Sequence, residues 1–182
     1  MCRIGASLKH RLRGRILAAV SRNFRGQIMR IAIVAALALT LIPATVSARP
    51  IPNAGLSIQD AATWLKSIGY TTEMVPDKDG TSHIRSSYNG VKVGVYMFDC
   101  KNNVCGSLQF SAGWSTNGKF DTSQINGWNR DKRWCRGYYD AENDPWVEKD
   151  VDLTPGGSYE LLADEFQVFR KCVDNFKSMY QL

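Results

Sequence analysis

Residues 91–114 read VKVGVYMFDCKNNVCGSLQFSAGW, and this stretch decides the fold. Val91, Val93, Val95 and Met97 alternate with Lys92, Gly94, Tyr96 and Phe98, the period-two pattern of a strand with one buried face. Asn102-Asn103 then offers a two-residue turn, because asparagine tolerates the positive φ that tight hairpins require. A second strand over 104–114 returns antiparallel to the first. If Lys101 and Val104 close the turn, Cys100 lies directly opposite Cys105 at a non-hydrogen-bonded position. The Cα atoms of such a pair stand roughly 4.5–5.5 Å apart, within reach of a disulfide.

Working outward toward the N-terminus, Asn89-Gly90 is the tightest kind of hairpin turn and implies a strand over 81–88. The turn Pro76-Asp77-Lys78-Asp79-Gly80 separates it from another over 70–75, giving four strands in antiparallel succession. Before them, Ser57 is a good N-cap, and Ile58, Ala61, Ala62, Leu65 and Ile68 repeat at helical spacing up to Gly69. Residues 49–56, with two prolines and Gly55, read as a flexible lead-in.

Toward the C-terminus, 121–133 reads as a second helix, capped by Asp121 or Thr122, with Ile125, Trp128 and Lys132 on one face. Gly127 weakens it by about 1 kcal/mol of helix propensity. Strands over 135–141 and 146–153 flank a turn at Glu142-Asn143-Asp144-Pro145. The last helix follows Gly157-Ser158, and Leu162, Phe166, Phe169, Val173, Phe176 and Tyr180 recur at intervals of three and four. That stripe suits burial on a sheet, whereas a coiled-coil partner would need more heptads. The order α-ββββ-α-ββ-α predicts an α+β domain: an antiparallel sheet with helices packed on it.

Ahead of this domain, Arg30, the apolar run 31–42, Pro43 and the small residues Ser47 and Ala48 have the grammar of a secretory signal peptide over 29–48, cleaved after Ala48. The run is too short for a bilayer span, which needs about 20 residues. Residues 1–28 form a basic leader. It reads either as an n-region of unusual length or a start assigned one Met too early, or as a basic arm for nucleic acid or a membrane surface. Eight of the 23 Lys and Arg precede Arg49, so the remaining 15 face all 17 Asp and Glu, and +6 becomes −2. A chain so balanced has lost the basic face that nucleic acid requires. The expected location is the bacterial periplasm or the exterior, with no membrane span left after cleavage.

Cys2 departs with the leader, leaving four cysteines in an oxidising compartment. With Cys100 facing Cys105, Cys135 pairs with Cys172 by elimination. The longer loop constrains the unfolded chain by on the order of 3–4 kcal/mol in the chain-entropy treatment. A redox centre or a zinc site at these cysteines is the alternative, but neither the spacing nor the hairpin context fits a common motif.

Chemistry-bearing constellations are few. His83 has no nucleophile motif beside it and reads as either catalytic or a surface strand histidine. Asp77-Lys78-Asp79-Gly80 resembles a calcium loop only faintly, since the glycine comes too early and the closing Glu is missing. Trp146, Glu148, Asp150 and Asp152 share one strand face opposite Val147, Lys149, Val151 and Leu153. The carboxylates are either an acid–base or cation site or the solvated side of a half-buried strand. Around the second helix Trp114, Phe120, Trp128, Trp134, Tyr138 and Tyr139 interleave with Asn129, Arg130, Lys132, Arg133 and Arg136. Trp128, Asn129, Arg130, Arg133 and Trp134 are the candidate binding face, unless Trp128 fills the core and the cations merely line the exposed side. No cofactor motif and no metal-ligand set is read.

The run Asn126-Gly127-Trp128-Asn129-Arg130-Asp131-Lys132-Arg133-Trp134, followed by Tyr138-Tyr139-Asp140, resembles the YbjN-domain family, whose members carry Asn-x-Trp-Asn-x-x-x-Arg-aromatic here. Leu65 with Gly69-Tyr70, Ser107-Leu108-Gln109-Phe110, Asp150-Val151-Asp152-Leu153 and Gly156-Gly157 agree in order, so the likeness spans about 56–176, and the domain is expected over 57–182. The resemblance implies a bacterial sensory-transduction regulator with a type III secretion chaperone-like fold and no established catalytic residues. The export signal departs from many members and speaks against a cytoplasmic chaperone or transcription-linked role. The expected function is therefore an exported, non-catalytic binding or regulatory domain that contacts a protein or a small ligand. A periplasmic enzyme using the carboxylate face, or a structural cell-envelope protein, is the alternative.

Overall fold

A computed structural model describes residues 47–118 and 121–182. The expected basic leader, residues 29–46 of the expected signal peptide and Phe120 lie outside the described residues. In chain order the elements are β1 (Pro50–Ile51), α1 (Ile58–Ser67), β2 (Glu73–Pro76), β3 (Ser82–Tyr88), β4 (Val91–Lys101), β5 (Val104–Gly113), α2 (Thr122–Asp131), β6 (Arg136–Tyr139), β7 (Pro145–Asp152), β8 (Gly157–Ser158) and α3 (Tyr159–Tyr180). Six strands form one antiparallel sheet in the order β2-β3-β4-β5-β7-β6, and β1 pairs with β8 in a separate two-stranded ribbon. The α+β reading holds.

The β4–β5 hairpin has the expected register, Lys101 opposite Val104 and Cys100 opposite Cys105. Asn102 and Asn103 sit at φ of 53° and 63°, as the two-residue turn demands, and Asn89 and Gly90 repeat the device between β3 and β4. Only the order after β5 departs from succession. Helix α2 carries the chain past the β5 edge, β6 becomes the outer strand, and β7 returns between them.

All three helices cover one sheet face. Val91, Val93, Val95, Leu108, Phe110, Ala112 and Val147 project into that interface from the strands. From α3 the whole expected stripe, Leu162, Phe166, Phe169, Val173, Phe176 and Tyr180, is buried against them. Each of these side chains contributes roughly 1.5–3 kcal/mol by leaving water. Trp64 of α1 meets Phe166 edge-on at 6.1 Å, and Trp128 of α2 meets Phe176 edge-on at 4.9 Å. Gly137 of β6 lets α2 seat, because a Cβ there would stand 2.7 Å from Ile125 Cδ1 and 3.0 Å from the Trp128 ring.

Several boundaries differ from the sequence reading. The strand expected over 70–75 begins only at Glu73. Gly69 N–H and Tyr70 N–H are spent closing α1 onto the Lys66 and Leu65 carbonyls. Helix α2 stops at Asp131, and Lys132 is already extended and exposed, so it shares no face with Ile125 and Trp128. The flexible lead-in is a correction. Ile51 and Leu56 are buried, β1 is paired, and Leu56 exchanges two backbone hydrogen bonds with Cys105. Gly55 is required there, since a Cβ would meet the Cys105 carbonyl oxygen at 1.9 Å.

Both disulfides are formed, Cys100–Cys105 and Cys135–Cys172. The Cα atoms of the hairpin pair are 3.9 Å apart, closer than the expected cross-strand spacing. The second bond ties the start of β6 to the middle of α3.

Candidate functional site

Among the described residues, the sheet face opposite the helices carries no helix. Strand alternation sends His83, Arg85, Gly94, Tyr96, Gln109, Ser111, Gly113, Trp146, Glu148, Arg136 and Tyr138 to that face, and the register aligns them in rows. One row crosses all six strands: Glu73, Arg85, Gly94, Ser111, Glu148 and Arg136. Ion pairs close both ends, Arg85–Glu73 at 3.2 Å and Arg136–Glu148 at 2.5 Å. Such cross-strand pairs lock register as well as adding stability.

The neighbouring rows carry rings. His83 stacks on Tyr96 at 4.8 Å while its Nδ1 meets Asp77 Oδ1 at 2.8 Å. Tyr138 and Trp146, directly opposed across β6 and β7, lie nearly parallel at 6.4 Å. Two glycines let rings lie flat on the sheet. A Cβ on Gly94 would stand 2.6 Å from the Tyr96 ring, and one on Gly113 would stand 2.4 Å from the Trp146 indole. Trp146 is pinned at its edge, because Nε1–H donates to Asp140 Oδ2 at 2.7 Å. Between the two rings Gly94, Ser111 and Gly113 floor a cavity of about 830 Å³, rimmed by Arg85, Lys92, Lys177 and Asp144.

The electrostatics keep the phenols neutral. Burial pushes the Tyr138 hydroxyl up, helped by its hydrogen bond to Glu148. Burial likewise raises Tyr96, with Asp77 and Glu148 adding to it. Asp140 is held below the usual carboxylate range, first by the Asp144 backbone N–H and then by the Trp146 indole.

The carboxylate face expected on 146–153 exists as a face but not as three free carboxylates. Glu148 is only 7% exposed and accepts from Arg136, from the Tyr138 hydroxyl at 2.9 Å and from Ser111 at 3.4 Å. Asp150 accepts from Gln109 Nε2 at 2.8 Å. The solvated-side reading thus fails for Glu148, whose charge is covered by its own neighbours. On the opposite side Lys149 is also 7% exposed and reaches Glu165 of α3 at 2.8 Å, a charged contact inside the helix-covered face.

The candidate binding face around α2 does not assemble as one surface. Trp128 is 2% exposed and belongs to the core. Asn129 turns inward and brackets Gly137, donating to its carbonyl and accepting its N–H, both at 2.9 Å. It therefore occupies backbone groups on the outer edge of β6, which blunts that edge against pairing with another chain. Arg130, Arg133 and Trp134 remain outside. Arg130 pairs with Asp131 at 2.8 Å, and the Arg133 guanidinium covers the Trp134 ring at 4.7 Å. Trp134 is 65% exposed at φ 80°, a backbone conformation unusual for a bulky side chain. Trp114 and Tyr139 go to the helix side, against Phe176 and Tyr180. Tyr138 and Arg136 go to the open face. The Asp77–Gly80 segment is a turn held by Thr81.

Sequence reasoning passed over Gly94, Tyr96 and Gly113 as site residues. The signal was present in the pattern Lys92-Gly94-Tyr96, because a same-face glycine beside an aromatic marks close approach within a strand.

These features define an α+β domain with one sheet face buried under helices and the other open and aromatic. A family model for YbjN, described as "Putative bacterial sensory transduction regulator", matches residues 60–181, and the chain belongs to that family. No curated protein and no solved structure matches it. Among the described residues no helix is long and apolar enough to cross a membrane.

Proposed function

We propose that this chain is an exported, non-catalytic binding domain of the YbjN family whose ligand surface is the open sheet face. One observation carries the reading: the Tyr96 and Trp146 rings lie flat over Gly94 and Gly113 beside a cavity of about 830 Å³. A flat ring face beside a cavity also lined by Lys92 and Lys177, which form no ion pair among the described residues, suits a ligand that stacks and carries polar or acidic groups. The family description as a regulator agrees with binding rather than turnover. Glu148 and Asp150 are tied to neighbouring side chains, so the open face is assigned to recognition and not to acid–base chemistry. Export rests on the signal-peptide grammar of 29–48 and is consistent with two disulfides in the folded domain.

The test is native mass spectrometry of the protein isolated from the periplasm, followed by NMR mapping of whatever it carries or captures. The bound species is expected to shift the amides of Tyr96, Ser111 and Trp146, and Tyr96→Ala should weaken it without changing the fold. A ligand that moves only the helix-covered side would refute the assignment. One that moves only Arg130, Arg133 and Trp134 would transfer it to that exposed corner, which the sheet-face reading does not use.

A further inference from the structure

The grammar of residues 46–48 puts the signal cleavage before Arg49, and the folded domain independently begins at that residue. Arg49 is the first described residue with an engaged backbone. Its N–H donates to Glu160 Oε2 at 2.9 Å, and its carbonyl accepts the Tyr159 N–H at 3.0 Å. Pro50 and Ile51 then pair with Ser158 and Gly157, and the Arg49 guanidinium sits 4.2 Å from the centre of the Tyr159 ring. Ser47 and Ala48, one step earlier, are exposed and belong to no helix or strand. The scissile bond is therefore accessible, while every residue needed for the β1–β8 ribbon stays behind.

We infer that the fold contains a receiving site for its own processed N-terminus, in which the α-ammonium of Arg49 pairs with the Glu160 carboxylate at the start of α3. The inference rests on the export reading above. Hydrolysis adds one water across the Ala48–Arg49 amide. The C–N bond breaks, the water oxygen goes to Ala48, which leaves as a carboxylate, and the Arg49 nitrogen keeps the electron pair and takes up both protons of the water to become an ammonium. The catalyst is the leader-removing endopeptidase of the exporting cell. Before the cut, a single neutral N–H faces Glu160. After it, a full positive charge with three donors does, so the carboxylate, already a charged acceptor before the cut, gains an oppositely charged donor.

Glu160 is prepared for this partner. Its carboxyl is held below the usual range, chiefly by its own backbone N–H, with the Ser158 hydroxyl and the Arg49 amide adding to the effect. The other charged or titratable groups at this corner are the Arg49 guanidinium, the Tyr159 phenol and Asp60. Processing thus tightens the ribbon that anchors the chain start to α3.

The experiment exports the full chain from its own leader and sequences the product from its N-terminus. The α-amine of wild type and of Glu160→Gln is then titrated by NMR. The product is expected to begin at Arg49, with an α-amino pKa above the ordinary value of about 7.7–8.0 in wild type and within it in Glu160→Gln. Because the pair is exposed, melting of the variant should fall by only about 1–3 °C. A product starting elsewhere overturns the processing reading. A start at Arg49 with a wild-type α-amine in the ordinary range overturns the receiving site alone, whether or not the variant folds well.

Discussion

Removing the two disulfides one at a time should separate their contributions by size and in a fixed order. Cys135 and Cys172 are 37 residues apart, whereas Cys100 and Cys105 are 5 apart. If cross-linking acts by restricting the unfolded chain, the long loop is worth on the order of 3–4 kcal/mol and the short one about 2 kcal/mol at most. The Asn102-Asn103 turn already biases the unfolded chain toward the short closure, which lowers that second figure further. Cys135 and Cys172 are both buried between β6 and α3, so their loss also removes packing, in the same direction. In a domain of this size the long-loop variant, Cys135→Ala with Cys172→Ala, should melt roughly 10–15 °C lower. The pair Cys100→Ala with Cys105→Ala should cost less than half of that. Thermal denaturation of the disulfide-bonded wild type and the two variants, read by circular dichroism, measures both. Equal losses, or a larger loss from the hairpin pair, would refute the reasoning.

The glycines offer a contrast in sign. Gly137→Ala should destabilise by about 1–3 kcal/mol, because its Cβ has no room between Ile125 and Trp128. Gly127→Ala, on a helix with open space around it, should instead stabilise by roughly 0.5–1 kcal/mol, and the two denaturation midpoints check both. Asp140 has a depressed pKa, so its contribution is present above the unfolded carboxylate value and is lost as pH falls through the folded one. The Trp146 indole N–H resonance should therefore move with a midpoint below pH 3.8, and Asp140→Asn should abolish the transition. An indole signal unchanged down to pH 2 would contradict the pinning of Trp146.

Much of the architecture was legible locally. Alternation in 91–97, the Asn-Asn and Asn-Gly turns and the stripe from Leu162 to Tyr180 each depend on residues close in the chain, and each appears as expected. The Cys100–Cys105 pairing followed from a turn type alone. The lead-in was misread because the composition of Pro50, Pro52 and Gly55 says nothing about the partners that order them. Those partners, Gly157, Ser158 and Cys105, lie some fifty to more than a hundred residues away. The residues expected to share a face around α2 are separated for a related reason. Trp128, Asn129 and Trp134 look equivalent in a list of aromatic and polar residues, yet one fills the core, one closes a strand edge and one stands in solvent.

From its sequence alone this protein is determined as an α+β chain of the YbjN type, with four of its cysteines in two pairs. Backbone periodicity and turn chemistry are properties of short segments, so they can be read without coordinates. Which sheet face stays uncovered was decided only by the tertiary structure, because it depends on where three helices pack. The same packing buries Glu148 beneath Arg136, lays Tyr96 and Trp146 flat over glycines, and brings the Arg49 nitrogen to Glu160 across 111 residues of sequence.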